Sequence, residues 1–138
     1  MKEKVIAITT DNIISIEELE IINGSMLEGL QQIVGGYIEI VSPVNLEDPL
    51  RLVCNEEGLL KELPVNVVGS LLYGTLQHGY PIVGNIAILQ QGWRDGEPDI
   101  VGIPDGTVEQ IYSQFIEKFS ILKGKSQQCE SERSTNHD

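Results

Sequence analysis

The segment Pro81-Ile82-Val83-Gly84-Asn85-Ile86-Ala87-Ile88-Leu89 is the most hydrophobic part of the 138-residue chain. An apolar run of this length that is rich in isoleucine and valine is typical of a strand buried on both faces of a sheet. Gly84 inside the run predicts a bulge or a close approach of another backbone segment. We therefore expect this segment to form the central strand of the fold.

Shorter strand patterns precede the central segment. Strands are predicted for residues 5–8, 37–41 and 50–54, which are rich in β-branched residues. Residues 14–20 fit either an edge strand or an irregular turn, because their pattern matches neither period well. Asn55-Glu56-Glu57-Gly58 has the residue preferences of a type I turn, so residues 59–62 are expected to return as a hairpin.

Three helices are predicted. Ser25 and Glu28 form a capping-box pattern at the start of the first, and Gly35 ends it. A second, short helix begins near Pro64 and closes at Gly74. The third is the clearest element, with apolar side chains at helical spacing through residues 108–119 and either Asp105 or Thr107 as N-cap.

The remaining segments are polar. Residues 90–104 are rich in Gly, Pro and Asp and predict a loop, and residues 120–138 predict a disordered polar tail. The chain is therefore expected to form one domain, residues 1–119, followed by the tail. The fold class is α+β: a mostly antiparallel sheet with two longer helices and one short helix packed on one face of the sheet.

The balance of charge restricts the partners. The net charge is −12, and residues 1–119 contain six basic and 18 acidic residues. Such a surface repels phosphate backbones, so binding to a nucleic-acid polymer is not expected, although one small anion can still occupy a local basic pocket. The same charge fits a protein that mimics nucleic acid, or simple solubility.

No segment of the sequence predicts membrane attachment. The apolar runs are shorter than the roughly 18 residues that a membrane helix needs, and the start of the chain lacks the pattern of a signal peptide. We therefore expect a cytoplasmic protein with no membrane partner.

Residue patterns typical of catalysis or metal binding are sparse. His78 and His137 stand alone, and the acidic residues of segment 95–99 lack the spacing of a calcium loop. Cys54 ends an apolar strand, which favours a buried thiol over a nucleophile. We therefore predict a binding protein rather than an enzyme, with no catalytic residue, no metal and no cofactor.

The candidate ligand-binding residues are aromatic or cationic: Tyr73, His78, Tyr80, Trp93 and Arg94 in two turn regions, and Arg51 in the predicted strand of residues 50–54. Trp93 beside Arg94 has three interpretations: the pair binds a base and a phosphate, the indole anchors a protein interface, or it folds back on the core. Arg51 alternates with leucines, so it faces solvent or contacts an anion. Since the two turns flank the central strand, they share one pocket only across a subunit interface or a folded-back loop.

Four strings of the sequence, LQQIVGGYIE (30–39), LVCNEEG (52–58), LPVN (63–66) and PIVG (81–84), occur in a characteristic order and spacing. Over roughly residues 27–119 the chain resembles the family called domain of unknown function 3846, which is common in phages, plasmids and conjugative elements. The resemblance implies an accessory protein of a phage or mobile element. The family often has Asn-Arg after Leu-Pro, whereas here Asn66 is followed by Val67, so a role carried by that arginine is missing or displaced. Segment 90–103 is also more elaborate than is usual in the family.

Two functions follow as expectations. The first is an anti-defence sponge that sequesters a small anionic nucleotide, of the cyclic dinucleotide type, without cleaving it; such sponges usually bind at oligomer interfaces, so a homo-oligomer is expected. The alternative is an acidic protein–protein inhibitor or DNA mimic that blocks a host defence or restriction enzyme.

Overall fold

A computed structural model describes the backbone of residues 1–136 and the side chains of residues 1–122. In chain order its elements are β1 (Lys2–Ile8), β2 (Ile14–Glu20), α1 (Leu27–Val34), β3 (Ile38–Val41), β4 (Leu50–Asn55), α2 (Val67–Tyr73), α3 (Thr75–His78), β5 (Ile86–Arg94), β6 (Glu97–Val101) and α4 (Asp105–Asn136). The predicted α+β class is confirmed. Residues 14–20, which the sequence left undecided, form an edge strand.

The strands form one antiparallel sheet in the order β2-β1-β5-β4-β3, and β6 pairs with the second half of β5. In β5, Ile88 lies opposite Ile6 of β1 on one side and Leu52 of β4 on the other. The hydrophobic segment is therefore central, as predicted, but its strand begins at Ile86 rather than at residue 81. Residues 81–85 are irregular, with an isolated bridge between Val83 and Val65 and a φ of 78° at Gly84.

Gly84 makes the close backbone approach that the sequence predicts. Its N–H donates to the carbonyl of Pro64 at 2.8 Å. A Cβ at this position would lie 2.8 Å from Cδ1 of Leu63, so only glycine fits here without a shift of its neighbour.

Helices cover both faces of the sheet, so the prediction of helices on one face was wrong. On one face, α2 and α4 pack against the side chains that include Ile6, Leu52 and Ile88. On the other face, α1 packs against a second set that includes Val53 and Leu89. Successive strand side chains point to opposite faces, so strands that are apolar without alternation need cover on both sides.

Three local predictions are corrected. Most of segment 90–104 is not a loop: β5 extends to Arg94 and turns back into β6 through Asp95 and Gly96, both with positive φ. Residues 59–62 form turns after Gly58 rather than a returning strand. The capping box at α1 does not form, because the Ser25 hydroxyl accepts from the N–H of Leu27 and no side chain caps the helix.

Helix α4 runs from Asp105 to Asn136, so Asp105 and Thr107 both lie inside the helix rather than at its predicted N-cap. It continues past Ser120, where the sequence predicts a disordered tail. The extension is compatible with its composition, which contains no proline and a single glycine, Gly124. The division into a domain of residues 1–119 and a tail remains a prediction, and its last residues, His137 and Asp138, lie outside the described part. Among the described helices, none is both long enough and apolar enough to cross a bilayer.

Candidate functional site

Three of the predicted site residues, Tyr73, His78 and Tyr80, form one aromatic cluster beside α2 and α3. The ring of the buried Tyr73 stacks on the His78 ring with centroids 4.1 Å apart, and its hydroxyl lies 3.1 Å from that of Tyr80. The hydrogen bond with Tyr80, together with burial, raises the pKa of Tyr73 to about 12. The three members of the cluster include no lysine or arginine.

Cys54 lies next to this cluster and behaves as a structural thiol. It lines a small hollow of about 60 Å³ together with Tyr73, Tyr80 and Glu39. Burial, reinforced by the Glu39 carboxylate, raises the pKa of Cys54 to about 11, so the thiolate that nucleophilic catalysis needs is disfavoured. Within the described residues, no group of three or more potential ligands could hold a metal ion.

Arg94 lies at the far end of β5, in a second cluster. Its guanidinium donates to both carboxylate oxygens of Glu3, at 2.8 and 3.0 Å, and its Nε donates to Asp99 at 3.2 Å. Glu3 also accepts from the N–H of Gly102 at 2.8 Å. The Arg94 side chain is only 13% exposed, so the guanidinium is saturated by acceptors of the same chain.

These contacts shift both ionisation equilibria in the direction that favours the charged pair. The hydrogen bond from Arg94 is the main cause that holds the pKa of Glu3 below its usual value, against the opposing effect of burial. The bond to Glu3 likewise raises the pKa of Arg94. The cluster therefore ties β1 to the β5–β6 hairpin, which is a structural role.

Trp93 precedes Arg94 in β5 and points away from this cluster. It lies opposite Pro98 of β6 and is 71% exposed, so it does not fold back on the core. Trp93 and Arg94 both line a shallow hollow of about 560 Å³, which Met1, Ile21 and Val101 also line. The indole is thus available to a ligand or partner, whereas the neighbouring guanidinium is already occupied.

The sixth predicted residue, Arg51, lies apart from both clusters. Its guanidinium donates to Asp48 at 2.9 Å and to the carbonyl of Leu50 at 2.8 Å. The six predicted residues therefore do not converge on one pocket. The hollows beside Tyr80 and beside Trp93 share no lining residue.

Carboxylates neutralise nearly all the bases of residues 1–119. Five of the six bases pair with an acid within 4 Å: Lys2 with Glu20, Lys4 with Asp105, Arg51 with Asp48, Lys61 with Glu57, and Arg94 with Glu3 and Asp99. Lys118 is the sixth, and its ammonium lies 5.6 Å from the centre of the Phe119 ring. Twelve of the 18 acids in this part of the chain thus take no part in an ion pair among the described residues.

Glu3 and Asp99 are the residues that sequence reasoning missed. Glu3 is 91 positions from Arg94 in the chain, and no local pattern links them. Asp99 had a detectable signal: Asp95-Gly96 is a favoured two-residue hairpin turn, and pairing through it places Asp99 near Arg94.

The strings that carry the family resemblance meet in two junctions of the fold. At the first, Asn55 of LVCNEEG is buried, and its side-chain amide donates to the carbonyl of Val34 of LQQIVGGYIE at 3.1 Å. The Asn55 side-chain oxygen accepts from the N–H of Glu57 at 2.8 Å, which shapes the turn. Gly35 ends α1 in the left-handed conformation. This junction joins the end of α1 to the end of β4.

At the second junction LPVN meets PIVG. Asn66 is fully buried; its amide donates to the carbonyls of Ile8 and Gly84 at 3.0 and 2.9 Å, and its side-chain oxygen caps α2 through the N–H of Gly69 at 2.8 Å. Val67, where the family often has arginine, is the first residue of α2 and is exposed. All four strings therefore have structural explanations.

These observations define the class of protein first: an acidic α+β domain whose shared sequence motifs hold the sheet and helices together. The particular family follows from comparison. The sequence model described as "Domain of unknown function (DUF3846)" matches residues 1–117, so the chain belongs to this family. The match includes β1 and β2, which the four strings do not cover. No curated protein and no solved structure matches the chain.

Proposed function

We propose that the protein acts by binding rather than by catalysis, and that its partner is a protein with a cationic surface of the kind that contacts nucleic acid. The observation that carries this proposal is the pairing of bases: five of six are neutralised internally, which leaves an excess of free carboxylates. Summed fields of one sign steer oppositely charged partners and strengthen at low salt.

The carboxylates best placed for such a partner are on β2 and α4. Glu18 is exposed on β2, an edge strand of the sheet, and points to the face that α4 covers, because it alternates in step with Ile14 and Ile16. It takes no part in an ion pair among the described residues. Glu109 and Glu117 are exposed on α4, which packs against β1 and β2. We call Glu18, Glu109 and Glu117 the β2–α4 acidic surface.

The partner proposed for this surface is a host defence or restriction enzyme, whose nucleic-acid site the protein would occupy. The family resemblance supports an origin in a phage or mobile element, and the proposed place of action is the host cytoplasm. Binding of this kind requires no catalytic group on the protein.

The test is capture from bacterial lysate on immobilised protein. We expect a nucleic-acid-binding enzyme that is retained at low salt and released both by high salt and by duplex DNA, because both compete for the same cationic site. The variant Glu18→Gln/Glu117→Gln should retain less of it. Glu56→Gln/Glu62→Gln, an equal loss of charge near the turn after β4, should retain nearly as much as the wild type.

Two results would count against this function: no partner at all, or a partner whose retention is insensitive to salt and DNA. Equal losses of retention in the two double variants would show that net charge, rather than a defined surface, determines binding.

A nucleotide sponge is the second candidate, and the exposure of Trp93 beside a hollow of about 560 Å³ favours it. Exposed indoles stack on bases. Against it, Arg94 is held by Glu3 and Asp99, so a phosphate would have to displace a carboxylate.

Trp93 is the only tryptophan, so its fluorescence reports directly on this hollow. If the sponge function holds, one member of a cyclic nucleotide panel quenches the emission and is released intact on heating, and Trp93→Ala abolishes its retention. Unchanged emission and no retention across the panel would eliminate this candidate.

A further inference from the structure

A cleft of about 460 Å³ lies between α4 and segment 45–50, which leads into β4. Its volume is within the range of small-molecule sites in proteins. None of the six site residues predicted from the sequence lines it. One wall is a single face of α4, whose lining residues fall at helical spacing: Thr107, Ile111, Gln114, Phe115 and Lys118.

The opposite wall of the cleft is fixed to the rest of the fold at both ends. The side-chain amide of Asn45 donates to the carbonyl of Leu71 at 2.6 Å, and its backbone N–H donates to the carbonyl of Leu72 at 3.0 Å. At the other end, the carbonyl of Pro49 accepts from the N–H of Gln91 at 2.8 Å. The cleft is therefore formed before a ligand enters, and binding does not have to order this wall.

The lining of the cleft is apolar at its base and carries free amide groups. Leu72 and Phe115 belong to the buried core, and Ile111 is partly buried beside them. Gln90 and Gln114 also line the cleft, and their side-chain amides form no hydrogen bond with the described residues. Each such amide offers both a donor and an acceptor, which are the two groups that a peptide bond needs.

Two unpaired charges of opposite sign line the same cleft, one on each wall. Of the six bases of residues 1–119, Lys118 alone has no carboxylate within 4 Å among the described residues. Glu47, on the opposite wall, likewise takes no part in an ion pair there, whereas its neighbour Asp48 is paired with Arg51 at 2.9 Å. Glu47 and Lys118 are thus too far apart to pair with each other, and each can accept a counter-charge from a ligand.

We propose that this cleft binds a short apolar peptide with free termini. The peptide ammonium pairs with Glu47 and its carboxylate pairs with Lys118, while its apolar side chains cover the base of the cleft. A simple anion would meet the Glu47 carboxylate and a simple cation the Lys118 ammonium, so each would be repelled on one side. A ligand with both charges and an apolar body matches both walls and the base.

The site does not depend on the proposed function. The β2–α4 acidic surface consists of Glu18, Glu109 and Glu117, and none of these residues lines the cleft. Variants of the cleft therefore leave that surface intact, and lysate capture tests the two proposals separately.

The test is isothermal titration calorimetry of the full chain with leucyl-leucine and three derivatives. N-acetyl-leucyl-leucine lacks the ammonium and leucyl-leucinamide lacks the carboxylate, so each should bind about fivefold more weakly than leucyl-leucine, as expected for an ion pair near solvent. Glycyl-glycine keeps both charges but has no apolar side chain, and it should bind at least about tenfold more weakly.

Two variants assign the charges to their residues. Lys118→Gln should weaken leucyl-leucine about fivefold and leave the affinity for leucyl-leucinamide unchanged, because that derivative has no carboxylate to lose. Glu47→Gln should do the same to leucyl-leucine and spare the acetylated derivative. Lys61→Gln is the matched control, since Lys61 is paired with Glu57 outside the cleft, and it should change none of these affinities. Both cleft residues are exposed, so circular dichroism should show an unchanged fold.

The proposal is overturned if leucyl-leucine does not bind at millimolar concentration, or if glycyl-glycine binds equally well. It is also overturned if Lys118→Gln weakens leucyl-leucine and leucyl-leucinamide to the same extent, because the ammonium would then not be the partner of the carboxylate.

Discussion

The two ends of β5 are stabilised in different ways. Before its first residue, the uncharged segment 63–85 is held by the neutral amide of Asn66 and by stacked rings. At its last residue, Arg94 is held by two carboxylates. The comparison shows that a strongly acidic chain can hold one region together by partly buried ion pairs and another by neutral hydrogen bonds and ring stacking. The first region should therefore respond little to salt, and the second should respond to both salt and pH.

The largest effect is expected from Asn66→Ala, which tests the uncharged end. The substitution leaves two buried carbonyls and one helix N–H without their partner, so we expect the free energy of unfolding to fall by about 3 kcal/mol. Urea denaturation measures this, and the loss should be the same at low and high salt. Asn45→Ala, which removes one exposed bond to the carbonyl of Leu71, is the control and should cost less than about 1 kcal/mol. Equal losses in the two variants would contradict the special role of Asn66.

Arg94→Met tests the charged end and should have the next largest effect. The Glu3 side chain is only 17% exposed, and the substitution leaves its carboxylate without a cation. We therefore expect the free energy of unfolding to fall by about 2 kcal/mol. The matched variant is Arg51→Met, whose partner Asp48 is 89% exposed, so the loss there should stay below about 1 kcal/mol. If Arg94→Met were as mild as Arg51→Met, the cluster would not tie β1 to the hairpin.

The pH dependence of stability should separate the two ends further. The pKa of Glu3 is lowered in the folded state, so its contribution is fully present above the ordinary glutamate value and is lost as the pH falls through the lowered value. We therefore expect Glu3→Gln to show a smaller acid-induced fall in the free energy of unfolding than the wild type. Glu18→Gln, which removes an exposed carboxylate without an ion pair among the described residues, is the comparison variant. Parallel curves for Glu3→Gln and the wild type would show that this carboxylate is not linked to folding.

Tyr80→Phe should have the smallest effect and sharpens the account of the uncharged end. It removes one hydroxyl from a half-exposed contact, so the expected loss in the free energy of unfolding is about 0.5 kcal/mol. The pKa of Tyr73 should move from about 12 back towards 10, because the bond with Tyr80 is the first cause of its shift. Ring-carbon NMR shifts of Tyr73 across a titration would measure this. An unmoved pKa would assign the shift to burial alone.

Local features of the fold were predictable, and features that depend on distant residues were not. The apolar run of β5 and the helical spacing of α4 are patterns within short stretches of the sequence, and both elements form. The position of helices on both faces was missed, although a central strand that is apolar at every position already requires it. Segment 90–101 was assigned to a loop because its Gly, Pro and Asp residues obscured the Asp95-Gly96 hairpin signal.

The candidate site divides in the same way. Tyr73, His78 and Tyr80 are near in sequence and come together in the structure. Trp93 is exposed in the β5–β6 hairpin, whose Asp95-Gly96 turn is a local sequence signal. The ion pairing of Arg94 depends on Glu3, which is 91 positions away in the chain. No local sequence pattern predicts a contact over that separation. From its charge alone, Arg94 was predicted to be available to an anion, whereas in the fold it is already paired with Glu3 and Asp99.

The central position of β5 has a consequence for how the chain folds as it is synthesised. The hairpins β1–β2 and β3–β4 are each contiguous in the chain, but within the sheet they are joined only through β5. Until residues 86–90 have left the ribosome, the two hairpins share contacts with α1 but no strand, and the apolar edges of β1 and β4 stay open. Closing contacts of such long sequence separation is slow, so the sheet should be completed only after this strand emerges.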